Sequence, residues 1–521
     1  MFWARPTFTP SGAHENGSGM SLRGIWKPAT VATFAIAAMA VTSEAQAAPA
    51  FLSPVQLADA AGRTEPRVAV TADDRRYVIT NDASSGDAVV YSSGDGGRTF
   101  TRTPSEPANQ TKATIDTDIV STRPFAGAPQ GRLIASELDG GGISFRLSFS
   151  DDGGTTWTAS QGAQLGDTDR QWLATGPIDS ATGKPRVYLL FHNLLSGTAT
   201  HNVFVQTSSD GGASFGAPVP LTVPASQAWQ DLQCADSGGP SAIFVNQTSG
   251  RIYAAWGTRT APALGGCGSS VFGPFEVNVV AATRVWVATA SPEQATSPGG
   301  WTPSLAVDDS LANGGKGKIV GMQLSPGAVD SAGNVYITYP ESVDSYPDYD
   351  GAAIRYVSAP ADLSRWSAPV TVAPPGGAGN VLTHIAAGDP GKLDFAYFAG
   401  ASRTGKSPAW TVTAAQTLNG LDASPKVSHV DISGGIVTYT GTASQLMGAC
   451  DQNATDPTQG AQNGFLCDRS TDVWGVALDN ECRVTFAWPV ADKTFNDADP
   501  QNAGTFVSTQ SGGTNVCKTR P

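Results

Sequence analysis

Positive charge is in short supply: 32 lysines and arginines face 45 aspartates and glutamates over 521 residues, a formal net charge of −13. A surface of that sign repels polyanions, and no stretch alternates basic with aromatic residues, so nucleic acid is excluded as a partner. Charged residues of both signs together make up only 15 % of the chain. So low a charged fraction speaks against a disordered chain, and no segment sustains a long helical period, which speaks against a helical one. Neither Cys-x-x-Cys nor His-Glu-x-x-His occurs, so zinc ligation would need a spacing that the sequence does not offer. Apart from one N-terminal run, nothing apolar is long enough to span a bilayer, and the C-terminus shows no anchor pattern.

Glycine (59) and proline (35) are abundant beside 40 % hydrophobic residues, a composition that suits many short strands joined by turns. At the N-terminus, Arg23 and Lys27 precede an apolar run from Ala29 to Val41, and Ala45-Gln46-Ala47 offers a small-x-small cleavage site. That is the build of an export signal. Residues 1–47 are therefore expected to be a secretion signal, with Met20 the alternative start, and residues 48–521 a single released, extracellular domain. Six cysteines (Cys234, Cys267, Cys450, Cys467, Cys482 and Cys517) fit an oxidising destination. Of fifteen connectivities, nearest-neighbour pairing is expected, because each bond would then staple one long loop.

The pattern Ser-x-Asp-Gly-Gly-x-Thr/Ser-aromatic occurs three times, from Ser93 to Phe100, Ser150 to Trp157 and Ser208 to Phe215, with Asp95, Asp152 and Asp210 spaced 57 and 58 positions apart. A carboxylate accepting backbone N–H bonds across a tight turn, with glycines at positive φ, needs those residue types in that order. A longer repeat surrounds it: a short apolar strand, an Asp- and Gly-rich turn, then a basic or amide residue opening an alternating strand such as Arg186-Val187-Tyr188-Leu189-Leu190-Phe191. Seven such units can be counted.

The motif resembles the Asp-box of sialidase-type β-propellers. The resemblance implies an all-β propeller of four-stranded blades, with seven expected from the repeats and six, the family number, as the alternative. It also implies that Asp95, Asp152 and Asp210 are structural, lying at the rim opposite the ligand face. That face would gather the starts of the first strands and the loops between second and third strands. No cofactor is expected, although calcium would suit the acidic loops, which include Glu341, Asp344, Asp348 and Asp350.

The first blade carries the closest likeness, from Thr64 through Asp82 to Ser93. There Glu65 occupies roughly the place of the family arginine that holds the sialic acid carboxylate. Arg67, two positions on, shares the same side of the strand and would either replace that arginine or pair with Glu65. The catalytic expectation is Asp82 as acid, with Tyr397 or Tyr339 and Glu341 supplying the tyrosine–carboxylate pair that sialidase chemistry uses. Asp169, Arg170 and Trp172 form a cluster at a first-strand start. Their functional reading is an arginine held toward substrate beside a sugar-stacking indole; the structural one is a salt bridge over a buried ring. Two functions follow: an exo-glycosidase of sialidase type acting on extracellular glycans, or a non-catalytic propeller that binds glycan or protein.

Overall fold

The computed structural model describes residues 47–520 except 63, 109–115, 139–143, 164–167, 194–201, 234–238, 259, 262–265, 268–280, 313–316, 321–325, 343–350, 451–466, 470–473, 494 and 519; a few further side chains, among them those of Cys267, Cys450 and Cys467, are also outside the description. Residues 1–46, and with them the expected export signal, lie outside it, as do Cys234 and the acidic run 344–350.

Seven antiparallel sheets of four or more strands follow one another along Gln46–Pro521, so the fold is a seven-bladed β-propeller and the six-blade alternative falls away. Each counted repeat supplies the first two strands of a blade, beginning with Arg67–Val70 and Arg76–Asn81 and ending with Gly475–Leu478 and Val484–Val490. The first strands of successive blades touch around a closed circle, from blade one through blade seven and back to blade one. Second strands such as Ile252–Thr258 are buried throughout, because neighbouring blades cover both of their faces. Several outermost strands, by contrast, are only two residues long, among them Thr101–Arg102 and Thr158–Ala159. Short edges leave little unpaired backbone for another chain to join.

The turns explain the repeat. In blade five, Asp330 Oδ1 accepts from the amides of Ala332 (3.0 Å) and Asn334 (2.9 Å), and in blade seven Asp479 Oδ1 accepts from Glu481 and Arg483 (2.9 Å each). An acceptor side chain that caps a hairpin in this way accounts for the Asp- or Asn-led turn in unit after unit. The three Ser-x-Asp-Gly-Gly turns link third to fourth strands. In each, the second glycine has positive φ and lies against the preceding blade: a Cβ on Gly154 would sit 2.9 Å from Thr103, and one on Gly212 2.8 Å from Ile134. These glycines are therefore required twice, by the turn and by the packing between blades.

Ring closure joins the two ends of the domain. Ala50–Phe51 and Val55–Gln56 pair antiparallel with Gly504–Gly512 on the outside of blade seven. Cys482 and Cys517 form a disulfide that ties the C-terminal tail to the first hairpin of that blade, as nearest-neighbour pairing requires. Cys450 and Cys467 stand opposite each other in two short paired strands.

Candidate active site on the propeller axis

The first strands begin around the axis, where a small cavity of about 150 Å³ is lined by Arg67, Asp118, Trp172, Ser241 and His384 among others. Each comes from a different blade, and each lies on or beside the first strand of its own sheet. The guanidinium of Arg67 lies 4.5 Å from the centroid of the Trp172 ring, and its Nε is 3.6 Å from Asp118 Oδ1. Asp118 Oδ2 accepts from the Leu173 amide (2.7 Å), and Oδ1 from the Ile119 amide (2.9 Å). Burial pushes the Asp118 carboxyl above its usual range, against the opposing pull of Arg67 and of those amides. Burial, with the Arg67 charge added, drives His384 well below the ordinary histidine value, so its imidazole is neutral. Its Nε2 accepts from the Trp474 amide at 3.4 Å. A cation, a carboxyl biased toward its acid form and a neutral imidazole thus meet at one cavity.

A second layer lies at the strand starts. Arg170 is buried with its Nη1 between Glu65 Oε1 (3.7 Å) and Asp116 Oδ2 (3.8 Å), while its Nε lies 3.9 Å from Asp169. The backbone of Arg170 is left-handed (φ 60°), and pairing with the second strand shifts register between Asp169 and Trp172. This bulge lets Asp169 and Arg170 share one local cluster instead of pointing to opposite faces. Asp169 also approaches His192 Nε2 at 3.9 Å. Despite the cost of burial, the neighbouring His192 and the charge of Arg170 hold the Asp169 carboxyl low.

Of the residues singled out from the sequence, Arg67 and Trp172 line the cavity and Asp169 and Arg170 lie in the adjoining cluster. Arg67 pairs with Asp118; Glu65 faces Arg170 instead. Trp172 is 1 % exposed, donates from Nε1 to the Pro240 carbonyl (2.9 Å) and has Arg67 over one face, so it supports the arginine and is no open sugar platform.

Asp82, Tyr397 and Glu341 are not brought together. Asp82 caps its own hairpin, accepting from Ser84 Oγ (2.6 Å) and the amides of Ser84 and Ser85, and it pairs with Arg102 on the outermost strand (2.7 Å). These bonds, led by Ser84, hold its carboxyl far below the usual range, the opposite of what a proton donor needs. Tyr397 is buried between blades five and six with Tyr356 and Phe395, and its hydroxyl meets His429 Nδ1 at 3.1 Å. Burial pushes that phenol up to about 12. Glu341 ends the second strand of blade five and holds Arg355 at 2.6 Å. The alternative tyrosine, Tyr339, is 1 % exposed in the core between blades four and five.

Asp95, Asp152 and Asp210 lie at the other end of the blades. In each, one carboxylate oxygen accepts from a serine hydroxyl and a backbone amide, as Asp152 does from Ser150 Oγ and Thr156 N (2.8 Å each). Sequence reasoning passed over Asp118 and His384 as site residues. Their signal was position, since both fall on first strands. Among the described residues, no group of three or more His, Cys, Asp or Glu could hold a metal ion, and no helix is long and apolar enough to cross a membrane.

No family model matches the chain, and no curated protein matches it. Similar solved structures include an α-L-arabinanase of Penicillium chrysogenum complexed with arabinobiose (12 % identity, 74 % of this chain and 99 % of that one, TM-score 0.41). A protein of unknown function from Dyadobacter fermentans is similar at 12 % identity over 67 % of this chain and 94 % of its own, with a TM-score of 0.40. The NanB sialidase of Streptococcus pneumoniae is similar at 11 % identity over 90 % of this chain and 71 % of its own, with a TM-score of 0.37.

Proposed function

We propose that the chain is a secreted, sialidase-like propeller that acts on extracellular glycans as an exo-glycosidase, with its chemistry at the axial cluster. The observation that carries this reading is Asp118: a buried carboxyl, raised toward its protonated form and facing a cavity beside Arg67 and His384. A glycosidase needs one acid kept protonated to donate to the leaving oxygen and a second group to assist on the other side of the sugar. Asp118 fits the first role. Glu65, Asp116 and Asp169, gathered about Arg170, offer carboxylates for the second. Arg67 and Arg170 are the cations that would meet an anionic or hydroxyl-rich sugar. Export rests on the basic, apolar and small-x-small succession of the N-terminus, and its check is the N-terminal sequence of the released protein.

The test is turnover of 4-methylumbelliferyl sialoside and of a panel of neutral glycosides by the purified protein and by Asp118→Asn. The expected result is turnover of at least one sugar, lowered roughly 100-fold or more in the variant at unchanged melting temperature, and falling as pH rises and Asp118 ionises. The dispersion of Asp82, Tyr397 and Glu341 favours a second reading, a glycan-binding propeller without catalysis. Absence of turnover on every glycoside, together with retained binding on a glycan array, would establish that second reading in place of the first.

A further inference from the structure

At the opposite end of the axis, where first strands turn into second strands, lies a separate depression of about 430 Å³ lined by Val70, Thr122, Arg123, Ile178, Gln247 and Arg520 among others. Its size falls in the range of pockets that hold small molecules. Two arginines reach it from unrelated parts of the chain. Arg123 follows the first strand of blade two and is exposed, with one long bond from Nη2 to the Gln247 carbonyl (3.5 Å). Arg520 arrives on the C-terminal tail. That tail is fixed by the Cys482–Cys517 disulfide, by the Arg520 amide donating to Asn480 O (3.3 Å) and by Arg520 Nη1 donating to Val70 O (2.7 Å).

Both arginines line the same depression. Asp74 and Asp479 lie near enough to favour the Arg520 charge but direct their hydrogen bonds elsewhere, Asp74 accepting from the Asn480 amide (2.8 Å) and Asp479 from Arg76 and its own turn. Among the described residues the Arg123 side chain donates only to the Gln247 carbonyl and the Arg520 side chain only to the Val70 carbonyl, and both residues line the depression. The remaining wall is apolar at Val70, Pro124 and Ile178, and Ile178 is one of only four large hydrophobic residues exposed among those described.

We propose that this depression is a binding site for a small carboxylate ligand with an apolar flank, its carboxylate held by Arg123 and Arg520 and its flank laid on Ile178 and Pro124. Paired guanidinium forks match the plane and charge of a carboxylate, and the apolar wall removes the rest of the molecule from water. The site is independent of the axial cluster at the other end of the first strands.

The test is calorimetric titration of the purified protein, at low ionic strength, with benzoate, and with benzamide, sulfate and inorganic phosphate in parallel. Saturable binding of benzoate is expected, no binding of benzamide, and weakening by roughly tenfold in Arg123→Gln and again in Arg520→Gln. Arg123 makes a single long bond in the protein, so its variant stays informative even if Arg520→Gln loosens the tail. Three outcomes would each overturn the proposal: benzoate that fails to saturate, benzoate binding untouched by Arg123→Gln, or sulfate or phosphate binding as tightly as benzoate. The last would mark the pocket as a plain oxyanion site.

Discussion

Single side chains in this propeller divide by what burial does to their charge. Asp82 accepts from several surrounding donors and is ionised; Asp118, with a cation 3.6 Å away, is buried deeply enough that desolvation prevails. Asp394, in blade six, is the clearest case after Asp118. Gln416 Nε2 donates to its Oδ1 (2.9 Å), its Oδ2 has no hydrogen-bond partner among the described residues, and burial lifts its carboxyl from 3.8 to about 7. Between those values the native state holds a proton that the unfolded chain releases, so this residue makes stability fall as pH rises from about 4 to about 7. Asp309, raised to about 6 chiefly by burial, acts in the same direction. Denaturant unfolding of the protein and of Asp394→Asn on either side of that window should show the variant gaining on the parent as pH rises. An equal difference at both ends would refute this account. None of these environments was visible from residue type, since an aspartate in a strand reads alike whether its neighbours are amides or hydrocarbon.

At the scale of elements, the turns were the most legible part of the sequence, because their chemistry is local. Ser150, Asp152, Gly154 and Thr156 satisfy one another's hydrogen bonds within a few residues, and only the fit of Gly154 against blade one needs a second blade to be seen. Asp152→Ala removes these acceptors from an exposed turn and should cost about 1 kcal/mol in unfolding free energy while leaving any glycosidase turnover unchanged. Loss of turnover at full stability would mean that the motif reaches the ligand face. The strand repeats were equally legible: all seven basic- or amide-led runs became second strands, because alternation and the capped hairpin are properties of contiguous sequence. The bulge at Asp169–Trp172 was not. It needs two strands for its definition, and it decides where Arg170 points.

For the whole molecule, stability depends on closing a circle. The N-terminal strands complete blade seven, Phe51 packs toward Phe486 (ring centroids 6.1 Å apart), and the Cys482–Cys517 bond holds the tail across the same blade. With a sequence separation of 35, replacing both cysteines by serine should lower unfolding free energy by about 3–4 kcal/mol, measurable by chemical denaturation. A loss below about 1 kcal/mol would show that strand pairing closes the ring unaided. The sequence by itself determined the all-β class, the seven blades and the capped turns, since each is written in contiguous residues or in their period. Only the tertiary structure decided which side chains share the axis. Arg67, Asp118, Trp172 and His384 come from four blades and positions far apart in the chain, and Asp82, Tyr397 and Glu341, equally plausible by type, are turned toward Arg102, His429 and Arg355. The physical reason is that ring packing sets how each blade is rotated about the axis. A carboxyl's charge state then follows from the neighbours that rotation delivers.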